Sequence, residues 1–392
     1  MERDLNAIRE EIDRLDSRLA ELLCRRMDCS LEVAAYKAAH GLPVLNGARE
    51  AAVLNRVRET AAQGGRNEGY PDAAALVFST IMDASRALQH KRLHAGGGLR
   101  EALDSALHAA PADMSRIVCQ GCPGAFSDEA AGLLIRAGRL PAAQPRFVSA
   151  FADVVAALEA DEADFGVLPV ENSSTGSVHE VYDLLMSHHV TIAAAVDVPV
   201  SHCLLALPGA DPEALTAVYS HPQGLAQCAQ AIAARGLEPR AFSNTAMAAA
   251  MVAEKGDPHL CAIASRRAAE IYGLEVLQEN IQTVEINCTR FLVLSRRLII
   301  TPDADRVSLI FSLPHVTGSL YRALARFAAE GLNLTKIESR PMRTGGFEYA
   351  FYLDFEGTAA HAGTVDLLCA LSEEMPMFTF LGNYRELDGR AL

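Results

Sequence analysis

Most of the signals that assign a protein quickly are missing from this chain. Tryptophan is absent and aromatic residues make up only 6% of 392 residues. No uninterrupted apolar run approaches the roughly 20 residues that cross a bilayer, so no membrane partner is expected. The opening MERDLNAIREEID carries charges where a secretory signal needs an apolar core, and a cytoplasmic location is expected. Basic residues are outnumbered, 35 against 49 acidic ones, and a net charge of −14 argues against a nucleic-acid partner. Nine scattered cysteines fit reduced thiols. Cys119 and Cys122 form a C-x-x-C without the second pair of a zinc ribbon, and read as a strand end and a loop position. G-x-G-x-x-G and G-x-S-x-G are both missing, which removes a dinucleotide fingerprint and a hydrolase elbow. No cofactor and no metal are expected.

What the chain does have is length and three textures. Its 392 residues suffice for two or three domains, and 50% hydrophobic with 21% charged residues suit an ordinary folded protein. Residues 1–94 read as all helix, in runs of about Asp4 to Ala39, Ala48 to Ala62 and Pro71 to Arg92. Residues 95–115, with three consecutive glycines and Pro111, read as a linker carrying a short helix. Over 116–298, β-branched runs starting near Arg116, Asp164, Val190, Cys203, Val218, Cys261 and Arg290 alternate with alanine-rich helices. Those helices fall at 127–137, 150–160, 177–188, 222–235 and 245–255, the pattern of a two-lobed α/β domain. Residues 303–392 read strand, helix, strand, strand, helix, strand, a ferredoxin-like α+β unit whose third strand starts at Phe347. The expected fold is therefore multidomain: all-α, then α/β, then βαββαβ.

In the first helix Ile8, Ile12, Leu15, Leu19 and Leu22 recur at steps of four and three, marking one face. The stepping continues to Arg26, Ser30, Val33 and Lys37. At about 100° per residue, Ile8 and Lys37 point within about 20° of each other. Cations on a face that should pack imply an anion there, because burying an unpaired charge is too costly. Glu50 shares the face of Val53, Leu54 and Val57, while Ser85 and Gln89 continue the Phe78–Ile81 stripe. Polar groups facing in from three helices outline a bundle pocket. A helix of about 35 residues is about 50 Å long, more than two short partners cover, so a homodimer or higher homo-oligomer is expected. Arg9, beside the stripe, would then reach a neighbouring copy.

The set Arg9, Arg26, Lys37, Arg49, Glu50, Ser85 and Gln89, with Pro43-Val44 in the turn, resembles the all-helical chorismate mutases. The resemblance covers about the first 90 residues and implies rearrangement of chorismate to prephenate. Arg26 and the Arg9 of a second copy would hold the carboxylates. Lys37 and Gln89 would stabilise the ether oxygen as it gains charge, and Glu50 would hold the ring hydroxyl. The family usually has an acidic residue where this chain has Asn46, so weaker hydroxyl recognition is expected.

In the α/β region, polar residues gather in loops that follow strands, where open sheets bind ligands. They are Gly121-Cys122-Pro123-Gly124-Ala125-Phe126-Ser127, Pro169-Val170-Glu171-Asn172-Ser173-Ser174, Ser220-His221-Pro222-Gln223, Ser243-Asn244-Thr245-Ala246 and Asn287-Cys288-Thr289-Arg290-Phe291. Each alone reads as a cap or turn. In order, they resemble prephenate dehydratase from about Arg116 to Arg297. That implies loss of carbon dioxide and water from prephenate, giving phenylpyruvate. Thr245 would serve as donor to the leaving hydroxyl, Asn172 and Gln223 would orient the substrate, and Arg290, Thr289, Ser127 and Ser173 would hold carboxylates.

The last unit resembles the amino-acid-binding ACT domains, through Gly318-Ser319-Leu320 and Glu338-Ser339-Arg340-Pro341. A ligand carboxylate would meet the first segment and its ammonium the second, which implies feedback inhibition by phenylalanine. The combined expectation is a bifunctional chorismate mutase and prephenate dehydratase, sensitive to phenylalanine. Its rivals are a dehydratase with an inactive helical domain and an amino-acid-binding regulator without turnover.

Overall fold

The computed structural model describes residues 4–64, 67–93, 97–283, 287–342 and 348–391. Uninterrupted helical pattern carries α1 (Leu5–Ala39) to the turn at His40 and Gly41, where Gly41 takes a φ of +62°. α3 (Tyr70–Leu93) folds back beside its C-terminal part, and α2 (Gly47–Gly64) packs on α3. Only Ser30 and Ala34 of α1 are buried, and every residue from Asp4 to Arg25 is exposed. Within one chain the apolar stripe is therefore uncovered, with Ile12, Leu15, Leu19 and Leu22 at 49, 48, 63 and 56% exposure. The stretch expected as a linker starts with residues outside those described. It continues as α4 (Gly97–Asp104), which is not free chain.

The α/β region follows as β1 (Ile117–Gln120), α5 (Phe126–Arg136), β2 (Arg146–Val148), α6 (Phe151–Glu159), β3 (Phe165–Asn172), β4 (Gly176–Ser177), α7 (His179–Ser187) and β5 (Thr191–Pro199). The chain crosses to a second lobe at Val200–His202. It builds β6 (Cys203–Ala206), β7 (Ala217–Ser220), α8 (Pro222–Gln227), α9 (Ala229–Ala234), β8 (Glu238–Ala241), α10 (Thr245–Lys255), β9 (Leu260–Ala264), α11 (Arg266–Tyr272) and β10 (Glu275–Gln278). It then returns with β11 (Cys288–Ser295), antiparallel between β3 and β5. The second lobe has its own sheet, ordered β10-β6-β9-β7-β8. The short strands β2, β4, β8 and β10 and helix α11 were not visible as periodicity. β8, for example, is Glu-Pro-Arg-Ala and exposed throughout, so it has no apolar alternation to read. The helix expected over 222–235 breaks at Cys228, whose φ of −109° and ψ of 13° leave the helical basin. Cys119 sits in the core of β1, and burial first, with Asp128 second, pushes its thiol pKa up.

The C-terminal unit has the expected order: β12 (Arg306–Ser312), α12 (Ser319–Ala329), β13 (Leu334–Pro341), β14 (Tyr349–Glu356), α13 (Ala362–Glu374) and β15 (Phe378–Asp388). Phe347, expected to open the third strand, lies outside the described residues. β15 also pairs in parallel with β5, from Arg385↔Ala194 to Asp388↔Asp197. One ten-stranded sheet thus runs through the first lobe and the C-terminal unit, in the order β13-β14-β12-β15-β5-β11-β3-β1-β2 with β4 on β3. Gly382 permits the junction, because a Cβ there would run into the Ile192 carbonyl. α4 packs on α13, with Leu103 against Val365 and Cys369 and Arg100 Nη2 2.6 Å from Asp366.

Candidate functional sites

A cavity of about 310 Å³ between α1, α2 and α3 is lined by Arg26, Lys37, Asn46, Arg49, Glu50, Ser85 and Gln89. Arg26 and Lys37 are eleven residues apart, close to three helical turns, so α1 presents both on one face. Arg26 Nη1 donates to Ser85 Oγ at 2.6 Å. Lys37 Nζ donates to the Val44 carbonyl in the turn and to Gln89 Oε1 at 3.4 Å, while Gln89 Nε2 donates to Ser30 Oγ at 2.9 Å. Burial lowers the Lys37 pKa; Glu50 partly restores it and Arg86 lowers it further. Asn46 Oδ1 accepts from the Arg49 amide at 3.0 Å, so the residue at the unusual position caps α2. Arg9 is exposed and seventeen residues before Arg26, about 25 Å along α1, too far to enter its own chain's cavity.

One cavity residue escaped the sequence reading. Arg86 is 8% exposed and donates to Glu50, to Asp83 and, through Nε at 3.0 Å, to Glu374 at the end of α13. The signal available was the Asp83–Arg86 pair at three-residue spacing on a buried face.

The second cavity, about 270 Å³, lies between the lobes. β1, β3 and β11 bring Gln120, Pro169, Asn172, Thr289 and Phe291, while α8 and the start of α10 bring Gln223, Gln227 and Thr245. Thr245 is the first residue of α10, capped by Asn244 Oδ1 on the Ala246 amide at 2.8 Å. Its hydroxyl forms no hydrogen bond among the described residues, and the residue belongs to the cleft lining. Gly224 lets α8 pack there, since a Cβ would stand 3.5 Å from Thr245 Cγ2 and 2.9 Å from Ser220 Oγ. Ser127 lines the cleft and donates to the Gln120 carbonyl at 2.6 Å. Gln223 Nε2 crosses to Thr175 Oγ1 at 3.2 Å, and Gln227 Nε2 to Ser174 Oγ at 2.9 Å, so amides tie the lobes together.

Three placements in this region differ from the sequence reading. Asn172 Nδ2 donates to Asn287 Oδ1 and Thr289 Oγ1 at 2.8 and 2.9 Å, and its Oδ1 accepts from the Ser174 and Thr175 amides at 3.0 and 3.1 Å. With its amide fully engaged, Asn172 braces the loop rather than orienting a ligand. Ser173 Oγ accepts from the Cys288 amide at 2.9 Å and lies off the lining. Arg290 is turned away as well: Nε donates to Asp197 at 2.9 Å and Nη2 pairs with Glu386 of β15 at 2.5 Å. Two carboxylates beside the guanidinium leave it no reason to face the cleft. Conversely, His202 was missed. It is 2% exposed, its Nε2 lies 2.8 Å from Gln227 Oε1, and burial lowers its pKa against a smaller raising effect of Gln227.

A third cavity, about 470 Å³, is lined by Ser319 and Leu320 at the start of α12 and by His315, Val316, Tyr349 and Phe351. Gly318, with a φ of +82°, turns the chain into that helix. The Glu338–Arg340 segment does not reach it. Glu338 accepts from Ser177 Oγ at 2.7 Å, Arg340 pairs with Asp183 at 2.9 Å, and Ser339 is exposed. Strand alternation aims Lys336, Glu338 and Arg340 at the α/β region, where Lys336 Nζ meets Glu171 at 2.6 Å. A fourth cavity, about 600 Å³, runs between α1, α3, α12 and α13 past Leu23, Met27, Leu88 and Ala325. Its buried charges Asp83 and Arg326 are already paired, with Arg86 and Glu374. No described helix is long and apolar enough to cross a membrane.

With this geometry in view, comparison with known proteins is direct. The family model described as chorismate mutase type II matches residues 8–90, and the one described as prephenate dehydratase matches 117–298. Arogenate dehydratase/prephenate dehydratase 6, chloroplastic, of Arabidopsis thaliana is 42% identical over 288 residues, covering 69% of this chain and 68% of the relative. The solved prephenate dehydratase of Arthrobacter aurescens in complex with L-Phe is 29% identical with a TM-score of 0.62, covering 69% of this chain and 89% of that one. A structure titled as GqqA, a novel type of quorum quenching acylase, is 34% identical with a TM-score of 0.61, covering 68% and 97%.

Proposed function

Because this chain belongs to the arogenate/prephenate dehydratase family and carries a type II chorismate mutase domain ahead of it, we propose a bifunctional enzyme of phenylalanine biosynthesis that rearranges chorismate and then dehydrates the prephenate formed. The helical mutase domain spans 1–94, the dehydratase domain 116–298, and an ACT regulatory domain 303–392. One observation carries the first activity: Arg26, Lys37, Glu50, Ser85 and Gln89 converge on a single cavity. A pericyclic step needs no nucleophile, only a shape that favours the compact conformer and charge placed where the transition state gains it. Arg26 binds a carboxylate, and Lys37 with Gln89 meets the ether oxygen as its bond to carbon breaks. Glu50 takes the ring hydroxyl, a role it carries largely alone because the Asn46 oxygen is spent on the cap of α2.

The exposed stripe of α1 and the distance of Arg9 from its own cavity support a homodimer in which each copy covers the other's stripe and lends its Arg9. A monomer by light scattering would refute that assembly.

In the cleft, the free Thr245 hydroxyl supplies the donor to the leaving group. The ring carboxylate departs as carbon dioxide, its bonding pair enters the ring, and the ring hydroxyl leaves as water on gaining a proton. Gln223 and Ser127 border the substrate, and Asn172 holds the loop of Ser174 and Thr175, to which Gln223 bonds. The acylase likeness suggests hydrolysis as a rival. That needs a hydroxyl within reach of a base, whereas Ser127 donates to a main-chain carbonyl and Thr245 pairs with no base among the described residues.

Phenylalanine inhibition is supported by the cavity at Ser319 and Leu320 and by the grip of Lys336 and Glu338 on residues 171–177. The test is conversion of chorismate to phenylpyruvate, with and without phenylalanine, and with prephenate and arogenate supplied separately. Failure to consume chorismate leaves only a dehydratase. Preference for arogenate removes the link between the activities.

A further inference from the structure

Building on the mutase reading of the helical cavity, we infer that Arg86 is a positioning residue for Glu50, and that the C-terminal unit sets its place through Glu374. Arg86 follows Ser85 on α3 and belongs to the cavity wall. Its guanidinium holds Glu50 at one end and, at the other, Glu374, which lies 288 residues from Arg86 in sequence. A planar fork cannot satisfy these acids independently, so moving Glu374 re-aims the bond to Glu50. Arg86 also acts on Lys37, so its displacement reaches two groups of the cavity.

Glu374 is itself tightly held. Its Oε2 accepts from Arg326 Nη1 at 2.9 Å, and His90 Nε2 stands 2.8 Å from Oε1. Burial pushes the Glu374 carboxyl up, but His90, Arg326 and Arg86 outweigh it and hold the pKa at about 2. Arg326 connects this cluster to the third cavity. Ser319 and Leu320 line that cavity at one end of α12, and Arg326 lies seven residues on, about 10 Å along the same rod. Arg326 Nε and Nη2 find no partner among the described residues, so a single bond to Glu374 fixes the guanidinium. A small axial shift of α12 is enough to change that bond.

The experiment uses the full chain with Glu374→Gln, which keeps the shape and removes the charge. Chorismate KM is expected to rise about tenfold, with kcat changed less than threefold and both prephenate constants within twofold. Phenylalanine is expected to shift the chorismate KM of the unaltered chain and not that of the variant. A structural ion pair would lower Tm and leave both chorismate constants and their phenylalanine response as they were, and that result overturns the proposal. Should Glu374→Gln fail to fold, Arg86→Lys, which keeps charge without the fork, decides by the same constants. An unaltered chain that does not rearrange chorismate overturns the mutase reading, and this inference falls with it. Normal kinetics in either folded variant overturns this inference alone.

Discussion

The helical cavity and the α/β cleft differ little in volume, about 310 against 270 Å³, and sharply in how they meet a doubly charged acid. The first is lined by Arg26, Lys37, Arg49 and Arg86, projected from rigid helices. Among the described residues the second has no lysine or arginine in its lining, and Arg290, beside the lining residues Thr289 and Phe291, is spent on Asp197 and Glu386. Its lining offers hydroxyls, side-chain amides and the N-terminal ends of α5 and α10 instead. The two proposed reactions would account for the contrast. Both carboxylates survive the rearrangement, so cations can hold them throughout. In the dehydration one carboxylate must give its electrons to the ring, and a strong cation there would stabilise the starting state more than the transition state.

The largest test of this contrast is a pair of mirrored substitutions. Lys37→Ala should cost about 10²–10³-fold in mutase kcat/KM while prephenate dehydration stays within twofold. Thr245→Val should do the reverse, costing the dehydratase about 10²–10⁴-fold. Both are read by separate assays on chorismate and on prephenate. If either change disables both reactions, the two cavities are not independent.

Next in size is Arg290→Met. Because Arg290 joins β11 to β15 instead of facing the cleft, the change should destabilise the chain by about 1–3 kcal/mol. Prephenate KM, measured well below the melting temperature, should stay within twofold. A tenfold rise in KM with unchanged Tm would return Arg290 to the cleft.

The smallest expected effect is on pH dependence. Burial holds the Lys37 pKa below 10.5, and the reaction uses the protonated ammonium. Mutase kcat/KM should therefore be full below that lowered pKa and fall as pH rises through it, with a midpoint short of 10.5. The dehydratase, without a lysine in its cleft, should lack that alkaline limb.

Sequence periodicity exposed one cavity well and the other unevenly. Apolar spacing along α1 fixes which residues share a face, so Arg26 and Lys37 announced themselves by standing where leucine belonged. Thr245 and Gln223 could be found because each follows a strand end and opens a helix. What stayed hidden depends on partners far away in the chain. Nothing near Arg290 tells that Glu386 will neutralise it, and nothing near Arg86 tells that Glu374 will meet it. Glu338 and Arg340 suited an effector site by residue type, yet strand alternation and docking against Ser177 and Asp183 claim them first. Asn172 was expected to orient a ligand from a loop beside the cleft, and only the count of its bonds separates a brace from a ligand contact.

The pairing of β15 with β5 has one more consequence. A C-terminal unit on a loose tether could swing, but here main-chain hydrogen bonds stitch it to the lobe that carries half of the cleft. The proposed regulation would then travel as a twist of the shared sheet or a slide of its covering helices. Cutting away the last ninety or so residues would not liberate a simpler enzyme. It would strip β5 of a neighbour and leave a raw edge open to aggregation.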